Sequence, residues 1–449
     1  MSLFRRSRFL FWAIRELSQK YTKSLLVGIV LGFGLMIGLY TLYPFIQTLT
    51  LTHIDRIGYI GEFTPSTLPI NIQEKLSFGL TTITSDGSSL PGIASTWEAT
   101  DSGKQYTFHL KTGLLWHTGK PVKAHDLNYN IRSVTFQPIN DTTIVATLQN
   151  AYSPFVTLVS KPIFQSNLTG FGPYKINAIR LKGDKIAYML LVSATKAKLP
   201  TVEYRFYKTE TQAVTAYKLG EIDQIEGLTS IESSLTTWKN TKITEQVNKN
   251  RFIAVYFNLK DSLLREKSLR QALSYAVPSN SSDRVYSPIS PLSWAYTNTT
   301  KHYDYDMQQA TKLFDATKIA TNSGELTITT FSQYLSLAQD IAKSWNALGL
   351  KTNIRVENVV PQDYQVLLSA QDIPIDPDQY IFWHSTQGNT NITGLASAKI
   401  DKLLEDGRME QNQQKRKAIY VDFQKRLVDE LPAYFLYYPK SYTVSRISP

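Results

Sequence analysis

The chain has 449 residues, 42% of them apolar and 12% aromatic, too many for one core and too apolar for disorder, so two or three packed domains are expected. It has no cysteine, which excludes disulfides, thiolate metal sites and a lipid-modified cysteine anchor. The formal net charge is +11, but Arg5, Arg6, Arg8, Arg15, Lys20 and Lys23 crowd the N-terminus against Glu16 alone; the body has no run of cations interleaved with aromatics, which argues against a nucleic-acid partner.

Ser24 to Tyr43 carries no charge and as a helix would span about 30 Å, the hydrocarbon thickness of a bilayer. A single-pass transmembrane helix is expected there, with residues 1–23 as a basic cytoplasmic segment and the chain beyond about Leu51 on the outer side. A cleaved signal peptide is the competing reading, but Tyr40, Leu42, Tyr43, Pro44 and Phe45 leave no small-x-small cleavage site after the apolar run.

From His53 to Asn250 the pattern is mostly strand and turn. Asp86-Gly87 and Asp101-Ser102-Gly103 mark tight turns, and Tyr106, Phe108 and Leu110 alternate with Thr107 and His109 as in a half-buried strand. A short helix is expected over Lys123 to Ile131, another opening at Ser153-Pro154, and a third capped by Thr209 with Gln212 and ended by Gly220. Phe252 to Phe257, aromatic and β-branched, predicts a buried strand; Asn258 ends it, and Asp261 or Ser262 would cap the helix that runs to Pro278. Leu326–Phe331, a helix from Ser332 to Leu348, Gly349 as its stop and Lys351–Val356 form a βαβ unit with parallel strands. Helices over Ile400–Asp406 and Gln411–Glu430 follow, and Ala433–Tyr437 returns as a strand.

No catalytic or metal set emerges. Gly113 to Gly119-Lys120 has five residues between its glycines and a proline after the lysine, so it is not a phosphate loop. His-Glu-x-x-His and Gly-x-Ser-x-Gly are both absent, and His109, His117 and His384 read as structural or surface residues, not catalytic ones. No enzyme activity and no cofactor is expected.

Several segments, in order, resemble the peptide-type solute-binding proteins of ABC transporters, family 5. They are Leu90-Pro91-Gly92-Ile93-Ala94-Ser95-Thr96-Trp97, Tyr106 to Gly113 running into Trp116-His117-Thr118-Gly119-Lys120-Pro121-Val122, Gly170-Phe171-Gly172-Pro173-Tyr174, Gly220-Glu221-Ile222-Asp223, Arg251 to Pro278, Asp376-Pro377-Asp378, and Leu431-Pro432-Ala433-Tyr434-Phe435. The resemblance implies an α/β two-lobed clamshell of the type II periplasmic-binding-protein kind behind the anchor. Lobe 1 would cover 53–250, completed by 432–449, and lobe 2 would cover 251–431. It also implies a peptide ligand, an ABC permease as partner and a monomeric extracellular or periplasmic domain; nickel chelates or oligosaccharides are the alternative solutes, and a tethered sensor or structural ectodomain the alternative role. This chain is shorter than the family pattern between Asn128 and Asn140 and between Pro278 and Pro288.

Asp372, Asp376 and Asp378 cluster beside Pro374 and Pro377, where turn chemistry accounts for them. The resemblance adds a sharper role: the carboxylate just before the Asp-Pro-Asp turn meets a peptide's N-terminal ammonium, with Asp372 the nearest counterpart and Asp376 the alternative. Trp383, directly after that turn, is expected in the cleft; Tyr174 and Asn258 complete the candidate ligand-binding set.

Overall fold

The computed structural model describes residues 12, 15, 21–50, 54–195, 199–278, 282–317 and 325–447. Nearly all of the basic segment 1–23, and Ser279–Ser281 of the shortened link, lie outside them. A helix runs over Thr22–Thr50, with Val27, Val30, Leu31, Phe33, Leu35, Met36 and Ile37 exposed. Over the described residues alone, which omit several of its side chains, no helix is long and apolar enough to cross a membrane.

Lobe 1 is organised by β1 (Ile54–Ile60), which pairs parallel with β10 (Thr201–Tyr207) and β11 (Gln224–Leu228). On one side β18 (Lys440–Arg446) lies antiparallel between β11 and β12 (Thr241–Val247). On the other the hairpin of β8 (Tyr174–Lys182) and β9 (Lys185–Ser193) completes a seven-stranded sheet. The helix Ile70–Leu76 packs Ile72 and Leu76 with Met189, Leu191 and Tyr204. The helix Glu210–Lys218 begins as expected, with the Thr209 hydroxyl accepting from the Gln212 N–H, and ends at Gly220, φ +78°.

A second sheet was not foreseen as a separate unit. In it β4 (Ala94–Thr100), β5 (Gln105–Leu110), β7 (Thr143–Leu148) and β6 (Val134–Asn140) pair antiparallel in that order over their own core of Tyr106, Phe108, Trp116, Ile144 and Phe155. The helix expected over Lys123–Ile131 is instead one 3₁₀ turn, Ala124–Asp126, because the Asp126 carboxylate accepts from the Lys123 N–H and closes it. Gly170 and Gly172, which bring the chain back to lobe 1, press so closely on the Leu76 carbonyl that a Cβ at either position would collide with it.

Lobe 2 centres on β13 (Arg251–Phe257). Residues 252–257 are all buried, as an unbroken apolar run in a sheet covered on both faces requires. Its neighbours are β16 (Val366–Asp372) and β17 (Ala433–Tyr437), both antiparallel; β14 (Leu326–Thr330) continues beyond β16, then β15 (Thr352–Val356), with β14 parallel to both. The parallel βαβ unit is therefore present, its helix over Leu335–Ala347. Two expectations shift. Asp261 only closes a turn, accepting from the Leu263 and Leu264 N–H groups, and Glu266 caps the helix Lys267–Tyr275. The strand at Ala433–Tyr437 stays in lobe 2, and the strand that returns to lobe 1 is β18.

The lobes are thus joined by residues 248–250 and 438–439, which run side by side: the Asn248 N–H donates to the Pro439 carbonyl at 2.9 Å. Two adjacent short crossings make a hinge.

Candidate ligand cleft

Strand direction locates the cleft. In lobe 1, β1, β10, β11 and β12 all run toward the hinge end, since β12 leads into it. In lobe 2, β13 runs away from the hinge, so β14, β15, β16 and β17 run toward it. The carboxyl ends of both sheets therefore meet at the hinge, the position at which open α/β sheets take ligands.

Lobe 1 contributes Gly61-Glu62-Phe63 after β1 and Lys208 after β10. The Gly61 N–H is fixed to the Tyr207 carbonyl at 2.8 Å, Phe63 packs edge-on against Tyr59 and Phe206, and the exposed Lys208 and Glu62 lie 3.9 Å apart. Lobe 2 contributes Phe331 to Tyr334 after β14, Glu357 after β15, and Asp372 as the last residue of β16. The Asp372 side chain is 77% exposed, and its Oδ1 lies 3.2 Å from Arg251 Nε on the facing strand. Cation, carboxylates and aromatics at one opening can hold a zwitterionic, mixed-polarity solute. Among the described residues no group of three or more His, Cys, Asp or Glu is placed to hold a metal ion.

Of the expected site residues, Asp372 stands at this opening and the others stand elsewhere. Asp376 is buried, with Oδ1 taking Arg416 Nη2 at 2.5 Å and Oδ2 taking Nη1 at 2.8 Å; its charge is already matched inside the protein. Trp383 is 1% exposed, donating to Gln379 Oε1 and lying against Tyr256 and Phe435, so it is core rather than cleft wall. Asn258 follows the distal end of β13, some 20 Å from the hinge at about 3.3 Å per residue, where its Nδ2 donates to the Tyr364 carbonyl. Tyr174 opens β8 at the end of lobe 1 opposite the hinge, buried with Lys75 over its ring, and burial raises its phenol pKa, with Asp55 adding to the shift.

Beside the cleft, the small β4–β7 sheet and the hairpin of β2 (Thr81–Ile83) and β3 (Ser89–Pro91), whose turn holds Asp86, dock on lobe 2. The Ser153 N–H donates to the Arg408 carbonyl at 2.7 Å, the Trp294 N–H to the Asp86 carbonyl at 2.9 Å, and Tyr106 Oη to Gln411 Oε1 at 3.0 Å. Asp378 accepts from Arg408 Nε at 2.9 Å; burial pushes its carboxyl pKa up, with Arg408 opposing. Arg251 and Arg416 both escaped the sequence reading. Arg251 could have been found from its place opening the strand beside the hinge, whereas nothing in the helix Gln413–Glu430 singles out Arg416.

A hinged two-lobed α/β protein with a solute cleft between the carboxyl ends of its sheets is a binding protein of the periplasmic type. The chain belongs to the bacterial extracellular solute-binding proteins, family 5, whose model matches residues 90–143 and 133–392. It is 21% identical over 431 residues to the oligopeptide-binding protein AppA of Bacillus subtilis, covering 78% of each chain. The nickel-binding periplasmic protein of Escherichia coli is 22% identical over 282 residues, covering 51% of this chain and 53% of that protein. Among solved structures, the ABC transporter substrate-binding protein CtaP of Listeria monocytogenes superposes with a TM-score of 0.75 at 23% identity, covering 88% of this chain and 94% of that one. The B. subtilis AppA complex with a nonapeptide gives 0.66 at 18% identity, covering 88% and 94%.

Proposed function

We propose that this chain is a membrane-anchored extracellular solute-binding protein that closes its lobes on a peptide, grips the N-terminal ammonium with Asp372, and passes the cargo to an ABC permease. The observation that carries the reading is Asp372: an exposed carboxylate at the carboxyl end of a central strand, beside the hinge. Closure over the ligand would lower the local dielectric and strengthen the charge-assisted hydrogen bond. The relatives' peptide ligands support the solute class. The anchor rests on the uncharged run Ser24–Tyr43 and its basic flank, which favour a cytoplasmic N-terminus and the lobes outside.

The test is calorimetry on the full chain in detergent, with a mixed tripeptide pool free or N-acetylated, on the wild type and Asp372→Asn. Free peptides should bind the wild type about 30-fold or more tighter than acetylated ones, corresponding to roughly 2 kcal/mol for truncating one side of such a pair. Asp372→Asn should remove that preference. Equal affinity of the wild type for both pools would defeat the proposal.

A further inference from the structure

Asp372 already has a cation on it. Arg251 opens β13 and Asp372 closes β16, the two standing opposite each other in register, with Arg251 Nε 3.2 Å from Asp372 Oδ1. Their side chains are 47% and 77% exposed, so water can replace either partner and the pair breaks easily. The backbone under them is held independently: the Arg251 N–H donates to the Asn248 carbonyl at 3.2 Å and the Ile373 N–H to the Asn250 carbonyl at 2.8 Å. The guanidinium therefore stands beside one oxygen of the carboxylate without being needed to shape the strand ends.

We propose that Arg251 is an internal competitor for the ligand's ammonium group, and so a specificity-determining residue of the cleft. The inference rests on the reading of Asp372 given above. A ligand ammonium that takes Asp372 Oδ1 displaces Arg251, and one that takes the other oxygen shares the carboxylate with the guanidinium and is repelled by it; a ligand that leaves Asp372 alone loses nothing. Arg251 thus sets how strongly the cleft prefers free N-termini, and the penalty shrinks as salt screens the exposed pair. Asp376 shows the contrasting arrangement, buried and bidentate on Arg416, where no ligand ammonium could compete.

The experiment compares the full-length wild type, Arg251→Met and Arg251→Lys by calorimetry with one free tripeptide and its N-acetylated form, at low and high salt. Arg251→Met should bind the free peptide roughly 1.4- to 5-fold tighter, the range expected for losing an exposed ion pair, and the acetylated one unchanged. The gain should fade at high salt. Arg251→Lys, which keeps a competing cation, should stay near the wild type. Weaker binding of both peptides by Arg251→Met would mean that Arg251 holds the ligand or the hinge, and no change in either would mean that it does not compete; each overturns the proposal. Should the wild type fail to distinguish free from acetylated peptide, the Asp372 reading itself falls, an outcome separable from the other two. Thermal unfolding of each variant confirms that the fold is kept.

Discussion

The Asp376–Arg416 pair offers the sharpest test of how lobe 2 is held together, because its two carboxylate oxygens and two guanidinium nitrogens meet at 2.8 Å or less in a buried setting. Burial opposes the guanidinium's charge, yet Asp376's charge and hydrogen bonds outweigh that and raise its pKa, with Tyr420 adding to the effect. Two unit charges about 4 Å apart attract by roughly 4 kcal/mol at an effective dielectric near 20, before desolvation is subtracted. The net value of the pair is smaller, but removing one partner strands the other, which costs about 3–5 kcal/mol. Asp376→Asn and Arg416→Met should each lower the unfolding free energy by that amount. Asp376→Leu combined with Arg416→Met should lose much less than the two singles together, since no charge is then left uncompensated. Urea unfolding followed by tryptophan fluorescence reads the change, with Trp294 lying 5.6 Å from the Arg416 guanidinium. Singles within about 1 kcal/mol of the wild type would refute the argument. Asp376→Asn should also leave the preference for free peptides intact, separating its structural role from the ligand role proposed for Asp372.

Arg270, 3% exposed, donates to the carbonyls of Leu264, Arg265, Glu430 and Leu431 and so ties its helix to the left-handed end of Gln413–Glu430. Arg270→Met should cost at least about 3 kcal/mol through orphaned carbonyls, and Arg270→Lys should recover only part of it; an unchanged thermal midpoint would contradict this. Gly170→Ala should destabilise the joint between the β4–β7 sheet and lobe 1 by forcing a Cβ onto the Leu76 carbonyl, and faster limited proteolysis of that sheet is the readout. Burial lowers the His117 pKa while its bond to the Gly172 carbonyl opposes the shift. The unfolded chain then takes up the proton first, so His117's contribution to stability is present above about pH 6.5 and lost as the pH falls through the lower folded value. His117→Gln should flatten that part of the stability-against-pH curve, and identical curves would exclude the effect.

Much of the local chemistry was legible, although Asp126 closes a 3₁₀ turn where a helix was expected and Glu266, not Asp261, caps its helix. The Phe252–Phe257 run became a central strand, Thr209 capped its helix, and Leu326 to Val356 folded as a parallel βαβ unit, because periodicity, capping and turn residues act over short range. The misplaced cleft residues share one cause. Trp383 follows an aspartate turn in sequence, yet it packs on Tyr256, more than a hundred residues earlier, and that long-range contact makes it core. Asp372 and Asp376 lie four residues apart, and only the distant partners Arg251 and Arg416 tell an exposed carboxylate from a buried one.

Strand direction decides the cleft, and direction within a sheet is a property of pairing, not of sequence. Tyr174, Asn258 and Asp372 all stand at or just beyond strand ends, and no local signal says which end of its lobe each occupies. Once β8 is parallel to β1, Tyr174 must lie at the end where the chain enters lobe 1; once β13 leaves the hinge, Asn258 must lie far from it, and β16, antiparallel to β13, must deliver Asp372 to the opening. One residue of the three remains in a position to meet a ligand, and the same pairing that puts it there also sets Arg251 opposite it. The carboxylate and its internal competitor are therefore consequences of a single register, and a one-residue slip between β13 and β16 would send the two side chains to opposite faces of the sheet.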